Sequence, residues 1–295
     1  MKKVTSSQFL LLQLLALWFT SLAFGANTTQ PEEGKLPPEL IRLPYLEEIS
    51  LLGNRLTGPI PKEIGNITTL ESLVLEFNQF SENLPPELGN LSSIQRLHLT
   101  SNNFTGELPE TLAKLTTLTE LRLSDNNFSG KIPDFIHRWT NLVLLSIQGS
   151  GLSGPIPSGI SFLQNLTDLR ISDLNGSDST FPPINNMTKL QTLILRSCNI
   201  NDTLPPYLGN MKSIQDLRTL YFTENLFTGP VPNWIEDAGK YISVQTKQNS
   251  KSKRENPRQE AKQQQMQKRI EERTREEERM ALRLEEPVVR VDIRD

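Results

Sequence analysis

The sequence predicts a solenoid of 24-residue repeats, with a parallel β-sheet on the concave face and short helical, 3-10 and irregular segments on the convex face. One apolar pattern, Leu-x-x-Leu-x-x-Ile-x-Leu-x-x-Asn-x-Leu-x-Gly-x-Ile-Pro-x-x-Ile, begins at Leu43. It recurs without a slip from Ile67, Leu91, Leu115, Trp139, Leu163 and Met187. The Leu-x-Leu part alternates as a strand does, and one strand per unit builds a parallel sheet. Because no unit can bury its own apolar edge, stability comes from neighbouring units.

This spacing is the leucine-rich-repeat pattern with the plant-type Gly-x-Ile-Pro insert. The asparagine of each unit can bond backbone groups of the turn that would otherwise be buried unpaired. Along the chain this column reads Asn54, Asn78, Asn102, Asn126, Ser150, Leu174 and Cys198. Leu174 cannot form such bonds, so the loop Asp173–Pro183 must satisfy its backbone differently. We expect Cys198 to be a buried, inert thiol.

A secretory signal peptide is predicted at residues 1–25. Lys2 and Lys3 precede the apolar run Phe9–Phe24, and small residues precede Ala26 at a cleavage site. The run is shorter than the ~20 residues that span a bilayer. We therefore expect an exported chain with no membrane span of its own.

The remaining boundaries follow the repeat register. We predict a linker at 26–33, a half repeat at 34–42, and seven full repeats at 43–210. A repeat shifted by three residues follows at 211–237, then a degenerate repeat at 238–249 and a charged, low-complexity tail at 250–295, helical or disordered. Because the first unit is only a half, we expect Leu46, Ile49 and Leu51 to be partly exposed.

Composition argues against several functional classes. A single cysteine excludes a disulfide scaffold and a cysteine-based zinc site. Residues 245–295 hold 14 basic and 11 acidic side chains, so residues 1–244 carry 17 against 23, a net −6 that argues against nucleic acid as a partner. The Gly149–Gly154 segment matches a dinucleotide-binding motif, but Pro155 follows where a helix is required. Kinase motifs are not found either. We expect no catalytic residue, metal or cofactor, and no enzyme.

Asn-x-Ser/Thr sequons are frequent, and with the signal peptide they favour a glycosylated exported protein. Apart from Asn27, close to the cleavage site, they are Asn66, Asn90, Asn103, Asn127, Asn165, Asn175, Asn186 and Asn201.

A candidate binding site lies on the concave face, where the residues between the strand leucines project. Arg122 and Arg170 are two units apart in this column, roughly 10 Å from each other, and Arg96 and Arg196 flank them. Such a basic stripe suits carboxylate or sulfate groups, as in a peptide's acidic end or a charged glycan. Alternatively, the arginines pair with Asp125, Asp173 or Glu120 and keep the face soluble. The candidate set is Arg96, His98, Arg122, Asp125, Arg170, Asp173, Arg196 and Tyr221.

Four stretches, at 50–70, 167–183, 193–210 and 221–235, resemble plant leucine-rich-repeat receptor-like serine/threonine kinases. The similarity is greatest to the class with a malectin-like domain between the repeats and the membrane. Members of that family have a capped N-terminus, a malectin-like domain, a membrane helix and a kinase, none of which we recognise here. The resemblance therefore implies a truncated form with ectodomain repeats only.

The resemblance implies an extracellular recognition module of a receptor-like kinase, which binds a peptide, glycan or protein ligand and a co-receptor through the concave face. Two alternatives are open. The chain is a free secreted inhibitor or decoy of the plant-defence type, as polygalacturonase inhibitors are, or its function belongs to the kinase of a longer form. The expected location is the secretory pathway and then the apoplast or cell surface, meaning the plasma membrane if a longer form exists.

Overall fold

The computed structural model describes residues 34–36, 40, 42, 43, 45–211, 219–230 and 232, and the backbone of 242–244. The predicted signal peptide, the linker, the charged tail and the sequon at Asn27 lie outside these residues.

Parallel strands form a long sheet along the concave face. Its nine strands, in spatial order, are β1 (Glu48–Ser50), β3 (Ser72–Val74), β5 (Arg96–His98), β7 (Glu120–Arg122), β9 (Leu144–Gln148), β10 (Asp168–Ser172), β11 (Thr192–Arg196), β12 (Thr219–Phe222) and β13 (Ile242–Val244). A second parallel sheet contains β2 (Thr57–Gly58), β4 (Gln79–Asn83), β6 (Asn103–Gly106) and β8 (Asn127–Phe128). The predicted fold class, a leucine-rich-repeat solenoid with a parallel concave sheet, is confirmed.

The repeat length sets the register of the long sheet. From β1 to β11 each residue pairs with the one 24 positions further on, so that Leu73 lies beside Leu97. At the next step Thr192 pairs with Thr219, 27 positions further on. Since side chains alternate along a strand, this register stacks like positions of successive repeats on the same face.

Stacked apolar side chains fill the space between the sheet and the convex side. The leucines and isoleucines of the repeat pattern are buried, and most of them are almost completely inaccessible. Phe80, Phe104 and Phe128 add a column of parallel rings, with centroids 6.1 Å apart at each step. The core is therefore continuous along the repeats, and each unit buries the edge of the one before it.

The asparagine column satisfies buried backbone groups between repeats. Asn102 Nδ2 donates to the carbonyls of Leu75 (2.9 Å), Leu99 and Thr100, while its Oδ1 accepts from the Phe80 N–H at 3.0 Å. Asn78 and Asn126 are bonded in the same way. Each amide thus connects its own turn to the preceding repeat.

Where the asparagine is replaced, other groups bond the backbone. Position 174 would accept from the Leu152 N–H if it were an asparagine, but it is a leucine. The Leu152 N–H donates to the hydroxyl of Ser150 at 3.3 Å instead. The Leu174 carbonyl accepts from the amide of Asn199 at 2.8 Å. Cys198 is buried and its thiol faces the carbonyls of Ile171 and Arg196 at 3.4 and 3.2 Å, and burial raises the pKa of this thiol to about 12.

Short 3-10 helices form the convex side. They span Lys62–Asn66, Pro86–Asn90, Glu110–Lys114, Asp134–Arg138, Ser158–Phe162 and Pro206–Asn210, and each follows a proline. A proline before a helix fixes its own φ and lacks the N–H that a first turn leaves unpaired, so it suits this position. At Gly65 a Cβ would collide with the Glu87 carbonyl, so this position requires glycine for neighbouring helices to pack.

The first unit is better covered than the sequence suggests. Leu46, Ile49 and Leu51 are 1%, 5% and 4% exposed, so the expectation that they are partly exposed is wrong. Leu36 and Leu40 of the half unit are themselves buried in the same core. The described residues of the half unit form no strand, only an isolated bridge between Lys35 and Thr57, but Leu36 and Leu40 still cover the apolar edge of the repeat that follows.

Candidate ligand-binding face

Outward-facing positions of the long sheet form straight columns across the strands. His98, Arg122 and Ser146 are neighbours on β5, β7 and β9, and Arg170 follows Ser146 on β10. The leucine or isoleucine residues on either side of each of these residues are buried. Arg122 and Arg170 are therefore separated by one strand, as the sequence predicts.

Four ionisable side chains meet at the centre of this face, and we call them the central cluster: Glu76, His98, Glu120 and Arg122. His98 Nε2 lies 3.0 Å from Glu120 Oε2, and its Nδ1 lies 3.8 Å from Glu76 Oε2. The hydrogen bond from His98 is the largest effect on the pKa of Glu120, which it lowers from 4.5. Arg122 approaches both carboxylates, at 3.8 Å from Glu76 and 3.7 Å from Glu120.

The other arginines have closer carboxylate partners. Arg170 is clamped by Asp168 of its own strand, with Nε–Oδ1 and Nη2–Oδ2 distances of 2.8 and 3.0 Å. Arg196 donates to Glu224 at 2.9 Å, and Glu224 also accepts from Ser197. Both hydrogen bonds lower the pKa of Glu224, and the bond from Ser197 has the larger effect.

At the N-terminal side, Arg96 lies beside the central cluster. Its Nε donates to the Ser72 hydroxyl at 3.2 Å, and its Nη2 is 3.7 Å from Glu48.

Of the predicted partners Asp125, Asp173 and Glu120, only Glu120 forms an ion pair with an arginine among the described residues. Asp125 and Asp173 are exposed, with positive φ values of 49° and 57°. Their carboxylates accept from serine hydroxyls instead, those of Ser101 (3.4 Å) and Ser172 (2.6 Å) respectively. Both aspartates thus stabilise turns at the end of a strand.

Tyr221 is half-buried on β12, beside Ile194 in the same outward-facing column as Arg170. The eight candidate residues therefore lie along one face but do not form a single site. His98 and Arg122 belong to the central cluster, and Arg96 borders it.

Sequence reasoning missed Glu76, Asp168 and Glu224 as partners of the arginines. The spacing could have indicated them, because Glu76 is two positions beyond Val74 and Asp168 two positions before Arg170, on the same side of the strand. The sequence prediction considers only the position between the two leucines of each strand, so it overlooks the charged residues two positions before or after it.

No group of histidine, cysteine and acidic side chains suited to a metal ion occurs among the described residues. Gly149 and Gly151 adopt positive φ in the turn after β9, and a 3-10 helix begins only at Ser158. None of the helices in the described ranges is long and apolar enough to cross a membrane.

The family model described as Leucine Rich Repeat matches residues 45–67, 69–91, 93–115, 117–139 and 189–211. Among curated proteins, none matches the chain significantly. The chain has the leucine-rich-repeat solenoid fold, and its structural neighbours include plant receptor ectodomains.

One such neighbour is the plant peptide hormone receptor RGFR1 in complex with RGF2, with a TM-score of 0.67 and 28% identity over 72% of this chain and 34% of the receptor chain. A second is the ectodomain of the Arabidopsis thaliana receptor kinase GASSHO1/SCHENGEN3 in complex with CASPARIAN STRIP INTEGRITY FACTOR 2, with a TM-score of 0.55 and 26% identity over 70% and 30%.

A leucine-rich-repeat protein of the bacterium Leptospira interrogans is also similar, with a TM-score of 0.57 and 28% identity over 72% and 54%. The chain thus spans about a third of the length of the two receptor chains. The resemblance to plant receptor ectodomains that the sequence indicated is confirmed.

Proposed function

We propose that this chain is an extracellular recognition module, of the kind that plant receptor kinases carry, which binds a peptide ligand through the central cluster. A co-receptor would then engage the complex at the cell surface. Support comes from the charged concave face and from the similarity to RGFR1, whose structure was determined with RGF2.

The observation that carries the proposal is the incomplete pairing of Arg122. Its contacts with Glu76 and Glu120 are 3.8 and 3.7 Å long, which is too long for hydrogen bonds. Its Nε is buried, and no hydrogen-bond partner for it occurs among the described residues. The Arg122 side chain as a whole is 37% exposed, so a ligand carboxylate can reach its Nη groups and form the short hydrogen bonds that Glu76 and Glu120 are too distant to form.

Arg170 provides a contrast on the same face. Its guanidinium already forms two short, parallel bonds with Asp168. A ligand carboxylate would have to compete with this bidentate pair. Of the two arginines that the sequence singles out, Arg122 is therefore the better ligand anchor.

The carboxylates around Arg122 favour a peptide over a uniformly anionic glycan. The Glu76 side chain is 8% exposed, and its polar side-chain contacts among the described residues are His98 and Arg122, both at 3.8 Å. It would repel a polyanion but accept an N–H group. A peptide offers both a carboxylate for Arg122 and N–H donors for Glu76.

The test uses the full chain secreted from plant cells and a synthetic array of acidic 12-residue peptides with free or amidated C-termini. Binding of the strongest peptide is measured by biolayer interferometry. We expect R122A to weaken it by about 10- to 100-fold, the value of one or two charge-assisted hydrogen bonds. R170A should have a smaller effect, below about 5-fold.

R138A is the matched control, because Arg138 is exposed in a convex 3-10 helix. It should leave the affinity unchanged. Retained binding in R122A together with loss in R170A would place the site elsewhere on the sheet.

Transcripts that continue in frame into a membrane span and a kinase would support a receptor over a free secreted inhibitor.

A further inference from the structure

A groove lies on the flank of the solenoid where the chain enters the strands of the long sheet. Its volume is about 580 Å³, and we call it the flank groove. Its lining includes Thr117, Thr119, Asn141, Val143, Asn165 and Lys189. Val143 is 39% exposed, one of the few large hydrophobic side chains in the described part of the chain that solvent reaches to this extent.

The flank groove contains a complete sequon. Asn165 and Thr167 both line it, while Leu166 between them points into the core. Asn165 is half-buried, whereas the asparagines of the other sequons in the described ranges are exposed. Those exposed asparagines are Asn66, Asn90, Asn103, Asn127, Asn175, Asn186 and Asn201.

The Asn165 amide is held at both ends. Its Nδ2 donates to the Thr140 carbonyl at 3.0 Å, and its Oδ1 accepts from Lys189 Nζ at 2.7 Å. An amide nitrogen has two hydrogens, and Thr140 takes one of them. An N-glycosidic bond replaces the other, so the modified amide can keep both of these hydrogen bonds.

The groove surface suits the first sugars of such a glycan. The methyl groups of Thr117 and Thr119 and the side chain of Val143 provide an apolar wall for the N-acetyl methyl group and the C–H face of a pyranose ring. Asn141 and Lys189 offer polar groups to the sugar hydroxyls.

We propose that Asn165 carries an N-linked glycan whose first two N-acetylglucosamine residues lie in the flank groove, ordered against Val143. The inference rests on the proposed extracellular function. In the transfer, Nδ2 loses one proton and bonds C1 of the sugar, while the bond from C1 to the diphosphate of a polyprenyl-linked oligosaccharide donor breaks. Because the donor acts on the nascent chain, the half-buried position of Asn165 in the fold does not prevent the reaction.

The test compares Asn165 with Asn127 in the same molecule. The full chain is secreted from plant cells grown with a mannosidase inhibitor, and the native protein is digested with endoglycosidase H, which cleaves between the first two sugars. Glycopeptide mass spectrometry follows each site over time. We expect cleavage at Asn165 to be at least about 10-fold slower than at Asn127 in the native chain, and equally fast after denaturation.

A substitution in the wall tests whether the groove is responsible. V143N makes the wall polar without creating a new sequon, and it should raise the native cleavage rate at Asn165 towards that at Asn127. F162S is the control, because Phe162 is equally apolar and 60% exposed but lies outside the groove; it should preserve the protection.

Three results would overturn the inference. An unoccupied Asn165 beside an occupied Asn127 would show that the site is not used. Equal native cleavage rates would show that the glycan does not pack in the groove. A secreted chain without glycans at any sequon would contradict the glycoprotein premise, and unlike the first two results it would leave Asn127 unmodified as well.

Discussion

The hydrogen bonds of the asparagine column predict how much stability the chain loses when one asparagine is replaced by alanine. Asn102 is buried and forms four hydrogen bonds, and one of them satisfies the N–H of Phe80, which is fully buried. In N102A this N–H loses its partner, which costs about 1–3 kcal/mol, and the remaining three bonds are worth about 0.5–1.5 kcal/mol each. We expect a loss of about 3–7 kcal/mol in the free energy of unfolding.

The assay is urea-induced unfolding of the full chain, followed by circular dichroism at 25 °C and compared through the midpoint and slope. Asn54 provides the matched control, since it occupies the same position in the first repeat but is only half-buried. Its amide donates to the nearby carbonyls of Leu51 and Leu52. N54A should lose about 1 kcal/mol or less. If N102A loses less than about 1 kcal/mol, or if N54A loses as much as N102A, the column does not stabilise the stack as we argue.

Two further predictions concern titrating groups. The folded-state pKa of Glu120 is below its unfolded value of 4.5, so the ionised carboxylate contributes its full stabilisation above about pH 4.5 and loses it as the pH falls through the folded pKa. E120Q should therefore flatten the decline of the urea midpoint in that acidic range. E110Q, a substitution at an exposed convex position, should not change this decline. The thiol of Cys198 has a pKa of about 12, so iodoacetamide at pH 8 should label it only after unfolding; labelling of the native chain at the rate of a free thiol would contradict its burial.

Much of the fold could be predicted from the sequence because the repeat encodes its own neighbours. Every 24 residues the same leucines return, and a parallel sheet in register is the arrangement that stacks them all. The half unit is less predictable, since none of its described residues belongs to a strand that would place Leu36 and Leu40 in the repeat register. Their burial depends on the shape of the first full repeat, which a pattern of leucines does not describe.

The candidate site was less predictable than the fold. Arg122 and Arg170 lie in one column, as the spacing predicts, but their carboxylate partners lie outside this column. Arg170 pairs along its own strand with Asp168, whereas Arg122 reaches across strands to Glu76 at a distance too long for a hydrogen bond. Side-chain conformation decides which carboxylate each arginine meets, and the sequence period fixes only the backbone positions.

The break in the asparagine column offers a test of how the chain compensates for it. In an intact pair of repeats, an asparagine amide would accept the N–H of Leu152, but the corresponding residue is Leu174. This N–H bonds the Ser150 hydroxyl instead, and both residues are buried. S150A should therefore leave the Leu152 N–H without a partner and destabilise the chain by about 1–3 kcal/mol.

Restoring the asparagine should reverse part of that loss. L174N alone places a polar group where an apolar one is buried, so we expect it to destabilise the chain when Ser150 is present. In the S150A background the new amide can accept from Leu152, so the same substitution should be less harmful there. A double-mutant cycle in urea isolates the difference, and we expect a coupling of about 1 kcal/mol or more in favour of the double mutant. If L174N is equally destabilising in both backgrounds, to within about 0.5 kcal/mol, Ser150 does not substitute for the missing asparagine.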